Sequence, residues 1–390
     1  MNRITIFSGN RAEFGILFPI IQNLSEDFEV DLILSGAHVL KKWNTREDIK
    51  KQIRKYNIKC NIVEIELVDE EDTYIHCLGE IYGRVISYYE DRKNISLAIV
   101  LGDRIESFAF ALASFYSQIP LIHLCGGDVV NVPNYDTNVR HSISKIANYH
   151  FVTSEQSKSI LLQIGEETKR VFNIGNPSFD YDRLGLLPTI SELEQKYSIS
   201  TQDMIAIFTF HPASMKTAEE NYNEFKCSLD AVVDSMVDKV IVTYPNNDPG
   251  YNLILDYIEN LNRNSRILCI KSLGTNNYLA LMKYFKSIIV GNSSSGLLET
   301  PLYCTPVINI GERQSERIRG CNVKDVKIDY NNIKFSVNEV VKKYNVLKTE
   351  YQKTQYIFGD GTAAIKAHQC IEQILKERKE DRLFKKFVIR

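Results

Sequence analysis

Short apolar runs rich in β-branched residues alternate with helix-length amphipathic stretches along most of this chain, and that rhythm leaves few folds open to it. RITIFSG, VDLILSG, NIVEIEL, SLAIVLGD, PLIHLCGG and YHFVTS are separated by segments such as Ala12 to Leu24, Ile75 to Tyr89 and Ile105 to Phe115, where apolar residues recur at helical spacing. Continuous apolar strands with helices between them indicate parallel βαβ units, covered on both faces. The first half therefore reads as a doubly wound sheet. After VFNIGNPSFD the character changes, and GLLPTISELEQKYSIS reads as a connector into a polar helix, which puts a boundary near residue 185. The pattern restarts with MIAIFTFHP, KVIVTYPN, RILCIKS, KSIIVGNSSSG and TPVINIG, with helices expected over Glu219 to Val237 and Asn277 to Phe285. The expected fold class is α/β: two Rossmann-like doubly wound domains, 1–185 and 186–365, facing across a cleft, with a last helix at about 366–390 able to pack back on the first domain.

Composition narrows the function. Forty-seven Lys and Arg against 49 Asp and Glu leave a formal charge of -2, so no global basic field exists to hold a nucleic-acid backbone. The basic end KERKEDRLFKKFVIR reads as the solvated face of a terminal helix over Ala363 to Lys379. No apolar run approaches the ~20 residues of a membrane-spanning helix. Eight cysteines are scattered without a CxxC pair or dense spacing, which suggests reduced, mostly buried thiols and a cytoplasmic location.

In open parallel sheets, ligands bind beyond the carboxyl ends of the strands, so polar residues just after the apolar runs are the ones to inspect. RITIF is followed by SGNRAEFG, where Arg11 and Glu13 enter a helix whose first amides can face an anion; a plain capped turn is the competing reading. SLAIV is followed by Asp103 and Arg104, a carboxylate beside a cation at a strand end, suited to proton transfer or to a surface ion pair. PLIHLCGGD offers two glycines and Asp128. In NYDTNVRHSISK, Asp136 and Arg140 stand four residues apart on one helical face, with His141 adjacent, either as a catalytic carboxylate with its cation or as an ordinary helix salt bridge. His211 ends IAIFTF and is a candidate acid, base or phosphate donor. GNSSSG places Ser293, Ser294 and Ser295 at the start of an expected helix suited to a diphosphate, with Glu299 one turn on, able to accept from a ribose diol. INIGERQSERIRG adds Arg313, Arg317 and Arg319, cations suited to phosphate oxygens. Together these imply a sugar nucleotide diphosphate as ligand.

Taken in order, FSGNRAEFG, LGDRIE, HLCGGD, YDTNVRHSISK, HFVTSE, IGEETKRVFNIG, HP, GNSSSG, INIGERQ and YIFGDGTA resemble the UDP-N-acetylglucosamine 2-epimerases from residue 4 to about 364. The GDR, YD…RHSISK and GNSSSG versions look like the hydrolysing branch, which makes N-acetylmannosamine for sialic acid synthesis. The resemblance implies a glycosyltransferase-B-type architecture, no cofactor and no metal, a homodimer or homotetramer, and a reaction through a 2-acetamidoglucal that releases UDP. By motif, Asp103 and Asp136 match acidic catalytic positions, Arg140 the adjacent cation and His211 the histidine near the glycosidic phosphate. Ser293, Ser294 and Arg313 match diphosphate contacts and Glu299 the ribose contact; Arg11 is assigned with them to the UDP-sugar. Relatives commonly carry an acid or a histidine just before the Gly-Gly pair where this chain has Cys125, and Asp128 is the alternative carrier of that proton-transfer role. The turn NVPNYD also differs from the Gly-containing turn of many relatives. A UDP-linked 2,4-diacetamido-6-deoxy sugar remains the rival substrate, and a glycosyltransferase the rival activity.

Overall fold

The computed structural model describes residues 2–40, 45–67, 74–129, 136–213, 216–245, 250–261 and 266–389. The chain divides into two compact units, one of residues 1–128, 135–184 and 359–390, the other of 129–134 and 185–358. The NVPNYD turn singled out above lies, but for its last residue, outside the described residues.

The first unit is built on seven parallel strands: β1 (Arg3–Ser8), β2 (Glu29–Leu34), β3 (Cys60–Glu64), β4 (Ile95–Leu101), β5 (Leu121–Leu124), β6 (Tyr149–Val152) and β7 (Val171–Asn173). Their order across the sheet is β3-β2-β1-β4-β5-β6-β7, so the winding reverses between β1 and β4. The strands form where the sequence is apolar at consecutive positions because helices cover both faces: Ile4, Ile6 and Phe7 of β1 and Leu97 to Val100 of β4 are fully buried. Phe7 stacks on Phe110 of the helix Ile105–Tyr116 at 5.0 Å.

The second unit repeats the plan with β8 (Met204–Thr209), β9 (Lys239–Thr243), β10 (Ile267–Ile270), β11 (Lys286–Gly291), β12 (Val307–Ile310) and β13 (Val323–Val326), all parallel, in the order β10-β9-β8-β11-β12-β13. Its core joins Phe208 and Phe210 to Phe225 of the helix Ala218–Val233. The reversal falls between β8 and β11, and there Gly291 has a φ of +137°, with Thr209 O only 1.9 Å from where a Cβ would stand. Both units are thus Rossmann-like α/β layers of the glycosyltransferase-B-type class, each with one topological switch point.

Two expectations are corrected. The helix opened by GNSSSG is a single turn, Ser295–Leu298, followed by a separate 3-10 turn that Pro301 opens. Of the eight cysteines only Cys269 and Cys304 are buried and Cys321 is exposed; the other five are half-buried, Cys60 on an edge strand and Cys227 and Cys370 on helix flanks.

Candidate active site

In the first unit the polar residues converge after β4 and β5. Arg140, on the helix Asp136–Ile146, is buried, and its guanidinium reaches two turns at once: Nη2 pairs with Asp103 after β4, and Nη1 donates to the backbone carbonyl of Asp128 after β5 at 2.9 Å. This orients the Asp103 carboxylate, which keeps about a fifth of its side-chain surface open. Asp128 is itself buried, and Ser157 Oγ donates to its Oδ1 at 2.8 Å. The glycine pair before it permits this approach, since a Cβ on Gly127 (φ +84°) would meet Ser157 O at 2.2 Å. Cys125 sits in the left-handed region at φ +64°. Asp136 is exposed on the first turn of the helix that buries Arg140.

His123 was not among the expected site residues, though a histidine one residue from the end of an apolar strand was the available signal. It is fully buried in β5. Its Nε2 lies 2.8 Å from Gly102 O and its Nδ1 2.9 Å from Ser144 Oγ. A carbonyl can only accept, so His123 donates from Nε2, which leaves Nδ1 as an acceptor competing with the Arg140 carbonyl, 3.1 Å away, for the Ser144 hydroxyl proton. Burial pushes its pKa down to about 3, which keeps this one tautomer over the physiological range. His141 is lowered too, by burial and by the charge of Arg140, and among the described residues its buried Nδ1 has no hydrogen-bond partner.

At the end of β1 the helix Arg11–Leu24 is closed by the protein's own groups. Asn10 Oδ1 accepts from Glu13 N at 3.0 Å, while the Glu13 carboxylate accepts from Gly9 N at 2.6 Å and Asn10 Nδ2 at 2.8 Å. Arg11 is half-exposed and pairs with Asp48 at 3.2 Å.

In the second unit the organiser is Asn292, another residue that motif reading passed over. It follows β11, accepts from His211 N through Oδ1 at 2.7 Å and donates Nδ2 to His211 O at 2.8 Å, clamping the turns after β8 and β11 together. Its own carbonyl accepts from Arg313 Nη1 at 3.2 Å and Gln314 Nε2 at 3.1 Å. Burial, with the Arg313 charge added, pushes His211 down to about 3, so its ring is neutral at pH 7 and its N–H is a donor to an oxygen ligand. Ser293 Oγ lies 2.9 Å from Ser295 Oγ, and Ser294 is the N-terminal cap residue of the single-turn helix. Glu299 ends that turn, its pKa pushed up to about 7 by burial. Among the described residues no three His, Cys, Asp or Glu side chains group as a metal site, and no helix is long and apolar enough to cross a membrane.

A switch-point cluster in each unit does not by itself identify a reaction, and comparison with known proteins narrows it. The family model described as UDP-N-acetylglucosamine 2-epimerase matches residues 22–372. The chain belongs to the UDP-N-acetylglucosamine 2-epimerase family. Among these epimerases it is 33% identical over 333 residues to the hydrolysing GDP/UDP-N,N'-diacetylbacillosamine 2-epimerase of Campylobacter jejuni, covering 84% of this chain and 85% of that one. It is 29% identical over 338 residues to the UDP-N-acetylglucosamine 2-epimerase of Neisseria meningitidis, covering 85% and 86%. The solved Neisseria meningitidis epimerase with UDP-N-acetylglucosamine bound shares the fold, with a TM-score of 0.79 at 20% identity over 97% of this chain and 100% of that one.

Proposed function

We propose that this epimerase is of the hydrolysing type and converts UDP-N-acetylglucosamine and water to N-acetylmannosamine and UDP. The observation that carries the reading is the Asp103–Arg140 pair, a carboxylate held by a buried guanidinium at the carboxyl end of the strand beside a switch point. A pure binder of a diphosphate gains nothing from carboxylates of this kind.

The C2 proton is not acidic, so its removal has to be coupled to departure of the leaving group. In the proposed reaction a carboxylate, Asp103 or Asp136, takes the C2 proton; the C2–H electron pair becomes the C1–C2 double bond, and UDP leaves with the C1–O pair. Arg313, the Ser293 and Ser294 hydroxyls and the neutral His211 N–H are assigned to the charge growing on the diphosphate, Glu299 to the ribose and Arg11 to the UDP-sugar. Water then gives its oxygen to C1 of the 2-acetamidoglucal while C2 is protonated from the opposite face, and Asp128 is the candidate donor. Solvent deuterium should therefore enter C2 of every product molecule. Proton NMR of the protein with UDP-N-acetylglucosamine in D2O, metal chelated and no acceptor present, tests this: free N-acetylmannosamine deuterated at C2 is the expected product. N-acetylglucosamine released with its C2 proton retained would refute it.

A second reading takes a UDP-linked 2,4-diacetamido-6-deoxy sugar as substrate, supported by the 33% identity to an enzyme named for diacetylbacillosamine. Both sugars carry the 2-acetamido group and the C2 proton on which the mechanism depends. The same experiment with each sugar, compared by kcat/KM, decides between them.

A further inference from the structure

The C-terminal tail, residues 377–389, has no role in the reaction assigned above, yet it is bonded to the helix that carries Arg140. Arg170 lies over the Tyr149 ring at 4.6 Å and donates to the carbonyls of Asp381 at 2.6 Å and Phe384 at 2.5 Å, while Tyr149 OH donates to Glu377 at 2.6 Å. These contacts anchor the tail. Beyond them, Lys385 Nζ donates to the Ser144 carbonyl at 3.0 Å, in the last turn of Asp136–Ile146, and to Glu166 Oε2 at 2.8 Å. Glu166 is fully buried and also accepts from Lys145 at 2.6 Å and His150 Nε2 at 3.0 Å. Burial alone would raise its pKa, but the hydrogen bond and charge of His150, the charge of Lys385 and the Lys145 hydrogen bond outweigh it and hold the carboxyl at about 2.

Anchoring gives no reason for such a cluster, because well-packed apolar side chains would hold the tail as firmly at less desolvation cost. Its geometry gives one. From Ser144 the bonds continue through its hydroxyl to His123 Nδ1, and from His123 Nε2 to the carbonyl of Gly102, the residue before Asp103. Lys145 and Ser144 also stand on the helix that presents Arg140 to Asp103. We propose that Lys385 and Glu166 are positioning residues for the reacting carboxylate: they set the last turn of this helix, and Ser144 and His123 carry that setting to the turn bearing Asp103. The inference rests on the role assigned to Asp103 under the proposed function.

The test uses the full chain with its UDP-sugar substrate. Lys385→Met, which keeps the stem and removes the charge, should lower kcat about tenfold or more, since small displacements of reacting groups carry large rate penalties. UDP affinity should stay within about twofold, the UDP contacts being assigned to other residues. Lys385→Arg should restore most of the rate. Ser144→Ala, which leaves the tail and Glu166 intact, should cause a similar loss, and it decides the matter if Lys385→Met does not fold. In both variants the 15N signal of His123 Nδ1 should move towards that of a ring nitrogen without a hydrogen bond, while Nε2 keeps the proton that the Gly102 carbonyl accepts. Tyr149→Phe, which loosens the tail without touching Ser144 or Glu166, should lower thermal stability and leave kcat near wild type. Unchanged kcat in folded Lys385→Met and Ser144→Ala, or an equal loss in Tyr149→Phe, overturns the proposal. Asp103→Asn separates the two levels: full activity there sinks the reaction assignment, whereas an inactive Asp103→Asn beside a fully active Lys385→Met sinks only the positioning role.

Discussion

Glu13 is held as a carboxyl among groups that resist its charge. Burial first, and then the nearby Glu106, push its pKa up to about 7, although the Gly9 amide and Asn10 donate to it. In the unfolded chain the same group titrates at its ordinary value of 4.5. Between these values the folded protein holds a proton that the unfolded chain has lost, so this group's contribution to stability falls as pH rises through that window, by up to about 3 kcal/mol. His38, His123 and His211 are depressed by burial and act in the opposite sense: they cost stability at low pH, and stability rises as pH climbs from their folded values of about 4, 3 and 3 towards the ordinary histidine value of 6.5. The Glu13 share is isolated by difference. Urea midpoints of wild type and Glu13→Gln should converge near pH 5 and separate by about pH 7.5, with the variant more stable there; a constant gap would contradict the assignment. At Asp103 the expected effect is on rate. Asp103→Asn should keep the shape that Arg140 holds while lowering turnover by roughly 10²- to 10⁴-fold, the range of a lost proton-transfer group. A loss below about fivefold would move the base to Asp136.

Elements show why part of this was legible and part was not. Apolar runs reveal β1 to β6 and β8 to β12, though not the three-residue β7, because a sheet covered on both faces needs side chains that are apolar at nearly every position. β13, VKDV, is an edge strand with exposed Lys324 and Asp325, and nothing in its composition announces it. Asp103, His211 and Asn292 follow strands and so lie where ligand-binding turns are expected, but the roles of His123 and Asn292 depend on partners 21 and 81 residues away, which no local pattern encodes. Asp180 is similar. It is fully buried and accepts from Ala363 N at 2.9 Å and Ala364 N at 2.7 Å, capping the helix Ala363–Lys376 from 183 residues away. Asp180→Ala should therefore cost about 2 to 3 kcal/mol, more than an exposed cap, because two buried amides lose their acceptor. A urea melt reads this directly, and a loss below about 0.5 kcal/mol would mean that the helix end finds other partners. Gly127→Ala should be as damaging, since the substitution meets both a left-handed backbone and the Ser157 carbonyl.

Across the whole molecule, the two units carry separate cores and separate switch points, and the assigned roles divide in the same way: proton transfer to Asp103, Asp128 and Asp136, diphosphate and ribose contacts to His211, Ser293, Ser294, Arg313 and Glu299. A division of this kind predicts a pattern across variants that no single mutation reveals. Glu299→Ala and Arg313→Ala remove the UDP contacts proposed for them, present before and during the reaction, so each should weaken UDP binding, measured calorimetrically, by about tenfold or more. Asp103→Asn should leave UDP affinity within about twofold, because UDP has no C2 proton for that carboxylate to meet. The Asp103→Asn/Arg313→Ala double variant should then bind UDP as Arg313→Ala does, with the two free-energy changes adding to within about 0.5 kcal/mol if the two residues act independently. Arg313→Ala carries one further mark. With the neighbouring cation gone, the His211 pKa should rise from its depressed value, visible in the pH dependence of its ring proton shifts. An interaction energy well above 0.5 kcal/mol between Asp103 and Arg313 in UDP binding would show that nucleotide affinity and proton transfer are not separable in this enzyme, and the division of labour would have to be redrawn.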